Sequence, residues 1–344
     1  MRLKRALGLV AALALITAGC GDDGGSDDTA TTDTTGTDTT AADAPAQDLG
    51  SVTVVIGTDK TFEFLPAEYG LELGVWEKRG LDVENLYVQG SGQVAQTLAA
   101  GEGDLAVTAG ASGVTPILGG LDARVVGEIG RDFNMMVMVV DADSEIDAIE
   151  DLKGKTVGIT SQGSLTDYLA RAVITDQGWS EGDMSIAPIG GFNEQVAALE
   201  SGAIDAFVWS AEAGFQLEEQ GDGKVLFSYG ELISDNVFEV INASTSLIDD
   251  QPDAVQAYLE GWYETVQYMK DNPDETVAFC VEQYQLSEYV CQATYDLDID
   301  NLSTDGVIPD KNLQGLAKSL VSDSIPEAPA IEEFYDSQFV PVKL

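Results

Sequence analysis

Four small or polar residues, Ser161-Gln162-Gly163-Ser164, separate the apolar β-branched run Thr156–Thr160 from an amphipathic segment over 165–177. At such a strand-to-helix junction, bare backbone N–H groups and hydroxyls at a helix N-terminus can receive a polar ligand group. The same residues would serve as a plain N-cap. Thr166 lies in the first turn beyond them. Similar junctions carry Thr58, Asp59, Phe62 and Glu63, then Gly90 and Ser91, then a small loop of Gly110, Ala111 and Ser112. Further on come Gly191, Phe192 and Asn193, and Trp209, Ser210 and Glu212. Phe62 and Trp209 could wall a planar solute, although each would serve equally in a core. Asp59 and Glu63 could receive an amine or ring N–H, and Arg131 an acid group, the alternatives being solvated loop carboxylates and a surface salt bridge. Asn134, with Glu239 as a further candidate, falls where two halves of the chain join. Histidine is absent, which removes the commonest general base and every Ser-His or Cys-His nucleophile. No catalytic residue and no cofactor is expected. With no histidine and so few thiols, neither is a metal.

Strands alternating with helices must position these residues. Val52–Ile56 reads as a first strand, followed by a helix over 66–79, a strand from Leu81 to Val88 and a helix over 93–100. Strands at 105–107 and 124–129 follow, and Met135–Val140 is a continuous apolar run. The pattern then repeats: strand 156–160, helix 165–177, strand 185–189, helix 193–201, strand 206–209, helix 211–219, strand 225–228. Val237–Ile241 reads as a return strand, and helical periodicity dominates beyond it. Such alternation implies βαβ units and a mostly parallel α/β sheet. In such folds ligands bind beyond the carboxyl ends of the strands, where the junctions above lie. The reading is a hinged clamp: lobe one over 51–138 and 238–344, lobe two over 139–237, with C-terminal helices packing on lobe one.

The chain has 16 Lys+Arg against 60 Asp+Glu, a formal charge of −44. That charge repels nucleic acid and anionic membranes, so neither is an expected partner of the folded part. Plain solubility accounts for the charge, and a high-salt habitat is the alternative. The loops nearest the expected pocket hold Lys60 and Arg131 against Asp59, Glu63, Asp167 and Glu212. This balance favours a neutral, zwitterionic or planar heterocyclic solute over a dianion.

Residues 1–20 read as a targeting segment: Arg2, Lys4 and Arg5, an apolar stretch over 6–16, then Thr17-Ala18-Gly19-Cys20. The last four resemble a bacterial lipobox, with Cys20 the lipidated residue and ordinary secretion the alternative. Residues 21–50 are rich in Asp, Thr, Gly and Ala without aromatics, which predicts a disordered tether. In an exported chain Cys280 and Cys291 read as a disulfide, the alternative being two buried thiols in a helical core.

Four stretches, in order, resemble one family. They are Leu71-Glu72-Leu73-Gly74-Val75-Trp76 running into Gly80-Leu81-Asp82-Val83; Leu98-Ala99-Ala100-Gly101-Glu102-Gly103-Asp104; Asp151-Leu152-Lys153-Gly154-Lys155-Thr156-Val157-Gly158; and Ala198-Leu199-Glu200-Ser201-Gly202-Ala203-Ile204-Asp205-Ala206. Over 52–301 the chain is similar to the solute-binding lipoproteins of ABC importers for sulfonates, nitrate, taurine and thiamine-pyrimidine precursors. The resemblance implies the type II periplasmic-binding-protein fold, capture of a small organic molecule by hinge closure, and delivery to an ABC permease with its ATPase. It implies a monomer, lipid-anchored on the extracytoplasmic face of the membrane. Two other readings stay open: a ligand-sensing surface lipoprotein without transport, and a His-independent enzyme on the same fold. Fungal relatives that make the thiamine pyrimidine sacrifice an active-site histidine, which this chain lacks.

Overall fold

The computed structural model describes residues 47–344 apart from Asp59 and Asp323. The targeting segment, Cys20 and the tether up to residue 46 lie outside the described residues, as does Asp59.

β1 (Gly50–Ile56), α1 (Leu65–Leu73), β2 (Leu81–Tyr87), α2 (Ser91–Ala99), β3 (Leu105–Ala109), α3 (Gly110–Leu118) and β4 (Ala123–Gly130) form the first run. A second comprises β5 (Met136–Asp141), β6 (Thr156–Ile159), α4 (Leu165–Asp176), β7 (Ser185–Pro188), α5 (Phe192–Glu200), β8 (Ala206–Ser210), α6 (Ala211–Gln220) and β9 (Gly223–Ser228). The chain returns as β10 (Glu239–Ser244) and continues into α7 (Thr245–Asp250), α8 (Pro252–Asp271), α9 (Pro273–Tyr284), α10 (Glu288–Asp298) and α11 (Asp310–Ser319). Two five-stranded sheets result, ordered β2-β1-β3-β10-β4 and β7-β6-β8-β5-β9. In each, the single antiparallel strand is the one by which the chain enters from the other sheet. Near-continuous apolar runs such as Val137–Val140, buried on both faces, suit strands covered by helices.

One device recurs in both sheets and explains two of the motifs. Gly101 and Gly202, at φ +71 and +70, reverse the chain after α2 and α5. Asp104 then accepts the N–H of Thr53 at 2.8 Å and returns its own N–H to the Thr53 carbonyl at 2.9 Å. Asp205 does the same with Thr156, at 2.8 Å each way. Each aspartate thus clasps the parallel strand neighbouring the one it leads into. These motifs build the fold.

Two details differ from the sequence reading. Gly110, Ala111 and Ser112 are no loop but the first turn of α3, a helix disguised by Gly113 and an internal Pro116. Glycine and proline are poor helix formers, so only burial of Val114 and Ile117 against the sheet reveals it. The C-terminal helices also reach further than the first sheet. α8 packs on α1, while α10 lies against α6 of the second sheet, where Ser287 Oγ donates to Glu219 at 2.8 Å.

Cys280 of α9 and Cys291 of α10 are joined by a disulfide and fully buried. A cross-link spanning 11 residues restricts the unfolded chain by about 3 kcal/mol through loop closure. Urea unfolding with and without reductant should therefore separate by about that amount. Coincident curves would show that the bridge adds nothing.

Candidate functional site

The crossings between the sheets determine where a site can form. β4 ends at Gly130, and β5 begins at Met136, paired with Ser210 at the carboxyl end of β8. On the way back, β9 ends at Ser228, and β10 begins at Glu239, paired with Ala109 and Gly130 at the carboxyl ends of β3 and β4. Both crossings thus tie carboxyl edge to carboxyl edge, and the two rims face one another. The contact is direct: the N–H of Phe62, after β1, donates to Glu212 Oε1, at the start of α6, at 2.5 Å.

Around this contact sits a group of buried acids. Burial raises the carboxyl of Glu63 well above its usual range, and Glu212, Glu239 and Asp298 raise it further. Glu239 is raised by burial and then by Asp298 and Glu212. Burial raises Glu212 too, opposed by the Phe62 N–H. Burial pushes Asp298 up to about 7, against the hydrogen bond it accepts from Asn301 Nδ2 at 2.9 Å. Asn301 ties this acid to the first crossing by exchanging two 3.0 Å hydrogen bonds with the Asp132 backbone. Tyr284 donates from its hydroxyl to the Thr61 carbonyl at 2.9 Å, and Phe62 meets Tyr295 edge-on at 6.0 Å.

At the serine-glycine junction the structure shows the N-cap that the sequence left open beside a ligand seat. Thr160, Ser164 and Thr166 share a triangle of hydroxyl contacts at 2.8–2.9 Å, and Ser164 Oγ also donates to the Ser161 carbonyl at 2.7 Å. Ser164 caps α4, accepting weakly from the Asp167 N–H at 3.4 Å. The Asp167 carboxylate accepts the Gly163 N–H at 2.8 Å and pairs with Arg171 at 2.9 Å. Gly163 holds φ +75, a left-handed conformation natural to glycine. The positive end of the helix is therefore met by a carboxylate of the chain itself. Ser161, Gln162 and Gly163 remain exposed above it.

The other candidates divide. Phe192 and Trp209, both half-buried at the rim of the second sheet, pack ring to ring at 5.7 Å. Asn193 beside them is exposed. Asn134 packs on Gly230, where a Cβ would fall 1.9 Å from its Oδ1, within the crossings. Gly110 is seated against the return crossing: its N–H donates to the Phe238 carbonyl at 2.8 Å, and a Cβ would fall 2.4 Å from the Val237 carbonyl. Ala111 and Ser112 are half-buried, and Ser112 lines a cavity of about 10 Å³ with Ser91, Thr108 and Asn242 between α2 and α3. Arg131, for which a salt bridge was the alternative to a ligand acid, pairs with Glu128 at 2.7 Å. Asp298 had no sequence signal, being one acid at the end of an amphipathic helix. Glu239 stood out only by its place near the join.

The family model described as "NMT1/THI5 like" matches residues 61–276. "Putative binding protein BAB2_1146" of Brucella abortus (strain 2308) is 27% identical over 210 residues, 60% of this chain and 63% of that protein. The match spans less than two thirds of that relative's length. Among solved structures, the periplasmic aliphatic sulphonate binding protein SsuA of Escherichia coli has a similar fold. Its TM-score is 0.70 at 18% identity, over 86% of this chain and 93% of that one. A DszB mutant in complex with biphenyl-2-sulfinic acid gives 0.63 at 16% identity, covering 84% and 97%. At these identities the structural likeness is one of fold.

Proposed function

This chain belongs to the NMT1/THI5-like family, and we propose that it is the extracytoplasmic solute-binding component of an ABC importer. The observation that carries this reading is the hydrogen bond from Phe62 to Glu212, which joins the rim of one sheet to the rim of the other. Each sheet with its helices acts as a lobe, and the lobes close on a small organic molecule by bending at residues 131–135 and 229–238, between the strand ends. Solute stabilises the closed form by touching both rims, and the closed form is what a permease with its ATPase engages. The receptor works as a monomer held to the membrane by a lipid on Cys20. It performs no chemistry on the solute.

Thermal-shift screening of the soluble chain against sulfonates, amines, pyrimidines and nitrate tests this. A stabilising compound should also reduce the radius of gyration in small-angle scattering and be recovered unchanged. Turnover of the compound, or stabilisation without compaction, would sink the reading.

Phe192 and Trp209 provide the aromatic wall of the solute site. Trp209→Ala should weaken binding of a solute found in that screen roughly tenfold, as for a buried aromatic anchor. Because the ring is half-buried, the melting temperature of the free protein should change little. A collapse of that temperature would make Trp209 a core residue.

A further inference from the structure

Glu63, Glu212, Glu239 and Asp298 arrive from four separate segments and are 3%, 3%, 5% and 0% exposed. In each, one carboxylate oxygen is buried without a hydrogen-bond partner: Glu63 Oε2, Glu212 Oε2, Glu239 Oε2 and Asp298 Oδ2. Thr61 Oγ1, two residues before Glu63, is likewise buried and unpartnered. An orphaned buried acceptor is costly, and one on a charged group more so. No ion pair among the described residues reaches any of the four. Lys270, which acts weakly on Asp298, donates to the Leu302 carbonyl at 2.9 Å. The described residues also hold no group of three or more His, Cys, Asp or Glu disposed to bind a metal ion. Two features that would suit an anion are occupied: Asp167 meets the N-terminus of α4, and Glu128 takes Arg131.

We infer that the solute is an organic cation bearing several N–H donors, an ammonium, guanidinium or amidinium group, received by the orphaned oxygens of Glu63, Glu212 and Glu239 with Asp298 adjoining. This rests on the solute-capture reading and adds the sign and donor character of the solute. Charge alone is insufficient, because each orphaned oxygen needs a hydrogen bond, which a quaternary ammonium cannot give. Glu212 has a double role. One oxygen holds the Phe62 N–H across the rims and the other faces no partner, so the group that closes the lobes also contacts the cation.

Calorimetry and thermal shift on the soluble chain with agmatine, putrescine, choline, taurine, methanesulfonate and calcium chloride test the inference. Agmatine or putrescine should bind and stabilise, choline at least tenfold more weakly, and the sulfonates and calcium not at all. Glu63→Gln and Glu239→Gln should each weaken agmatine or putrescine at least tenfold without lowering the melting temperature of the free protein. The exposed Asp274→Asn should leave binding unchanged. If a sulfonate or taurine binds while both amines fail, the inference is overturned and the solute-capture reading stands. Binding of choline as tight as the amines, stabilisation by calcium alone, or amine binding indifferent to both glutamine variants would also overturn the inference. No response to any compound would remove the inference together with the reading beneath it.

Discussion

Acidification from about pH 8 to pH 5.5 should raise the melting temperature of the ligand-free protein, the opposite of ordinary acid denaturation. Asp298 and Glu128 are each pushed up to about 7, by burial in both cases, and Glu63 and Glu239 are raised well above their usual range by burial and neighbouring acids. A carboxyl whose folded pKa lies above its unfolded one binds its proton more tightly in the folded state. The folded state therefore holds more protons between about pH 4 and pH 7, and stability falls as pH rises through that window. Below about pH 4 the gain is complete. At roughly 1.4 kcal/mol for each pKa unit, discounted for relaxation around the buried groups, the gain is about 2–4 kcal/mol, or about 5 °C. Scanning calorimetry in about 0.5 M salt, which screens the surface charge, isolates the buried contribution. A melting temperature that is flat, or falls towards pH 5.5, would refute the assignment. Glu128→Gln should flatten part of the slope.

Trp76→Ala should cost about 4 kcal/mol, in the range for emptying a buried tryptophan site. The indole is 1% exposed, stacks on Tyr258 with centroids 5.4 Å apart and planes 5° apart, and donates from Nε1 to the Tyr258 carbonyl at 2.9 Å. α1 and α8 are shaped around it. A Cβ on Gly70 would lie 2.7 Å from the ring, and one on Gly261 2.3 Å from Nε1. The site cannot collapse without moving α1, and α1 follows directly on the turn that carries Phe62 and Glu63. Urea unfolding should show the loss. Gly261→Ala should be comparably harmful, by overpacking instead of a cavity. A cost under about 1 kcal/mol for Trp76→Ala would mean that α1 is held elsewhere. Trp76 and Trp209 are thus expected to fail differently, one in stability and the other in binding.

The order of strands and helices, and the glycine turns that follow α2 and α5, were legible in the sequence because they depend on local rules. An apolar run of four or five residues is a strand wherever it packs, and a left-handed glycine turns the chain in place. The partners of Asp104 and Asp205, by contrast, lie about fifty residues away. α3 was not legible, since glycine, serine and proline mask its propensity and only its buried face makes it a helix. The contacts of the polar candidates were left open by the sequence, because several partners lay within reach of each. Arg131 was open to a ligand acid or to a salt bridge, and the fold pairs it with Glu128. Ser161–Ser164 was open to a ligand or to plain N-capping, and in the fold Ser164 caps α4 while Asp167 accepts the Gly163 N–H.

By itself, then, the sequence determined the α/β architecture and the family. The architecture follows from periodicity and local turns, and the family from four motifs that resemble it. Only the tertiary structure decided the electrostatic character of the cleft. Glu63, Glu212, Glu239 and Asp298 are far apart along the chain, and the penalty for burying their charges together exists only once both crossings have brought the carboxyl edges face to face.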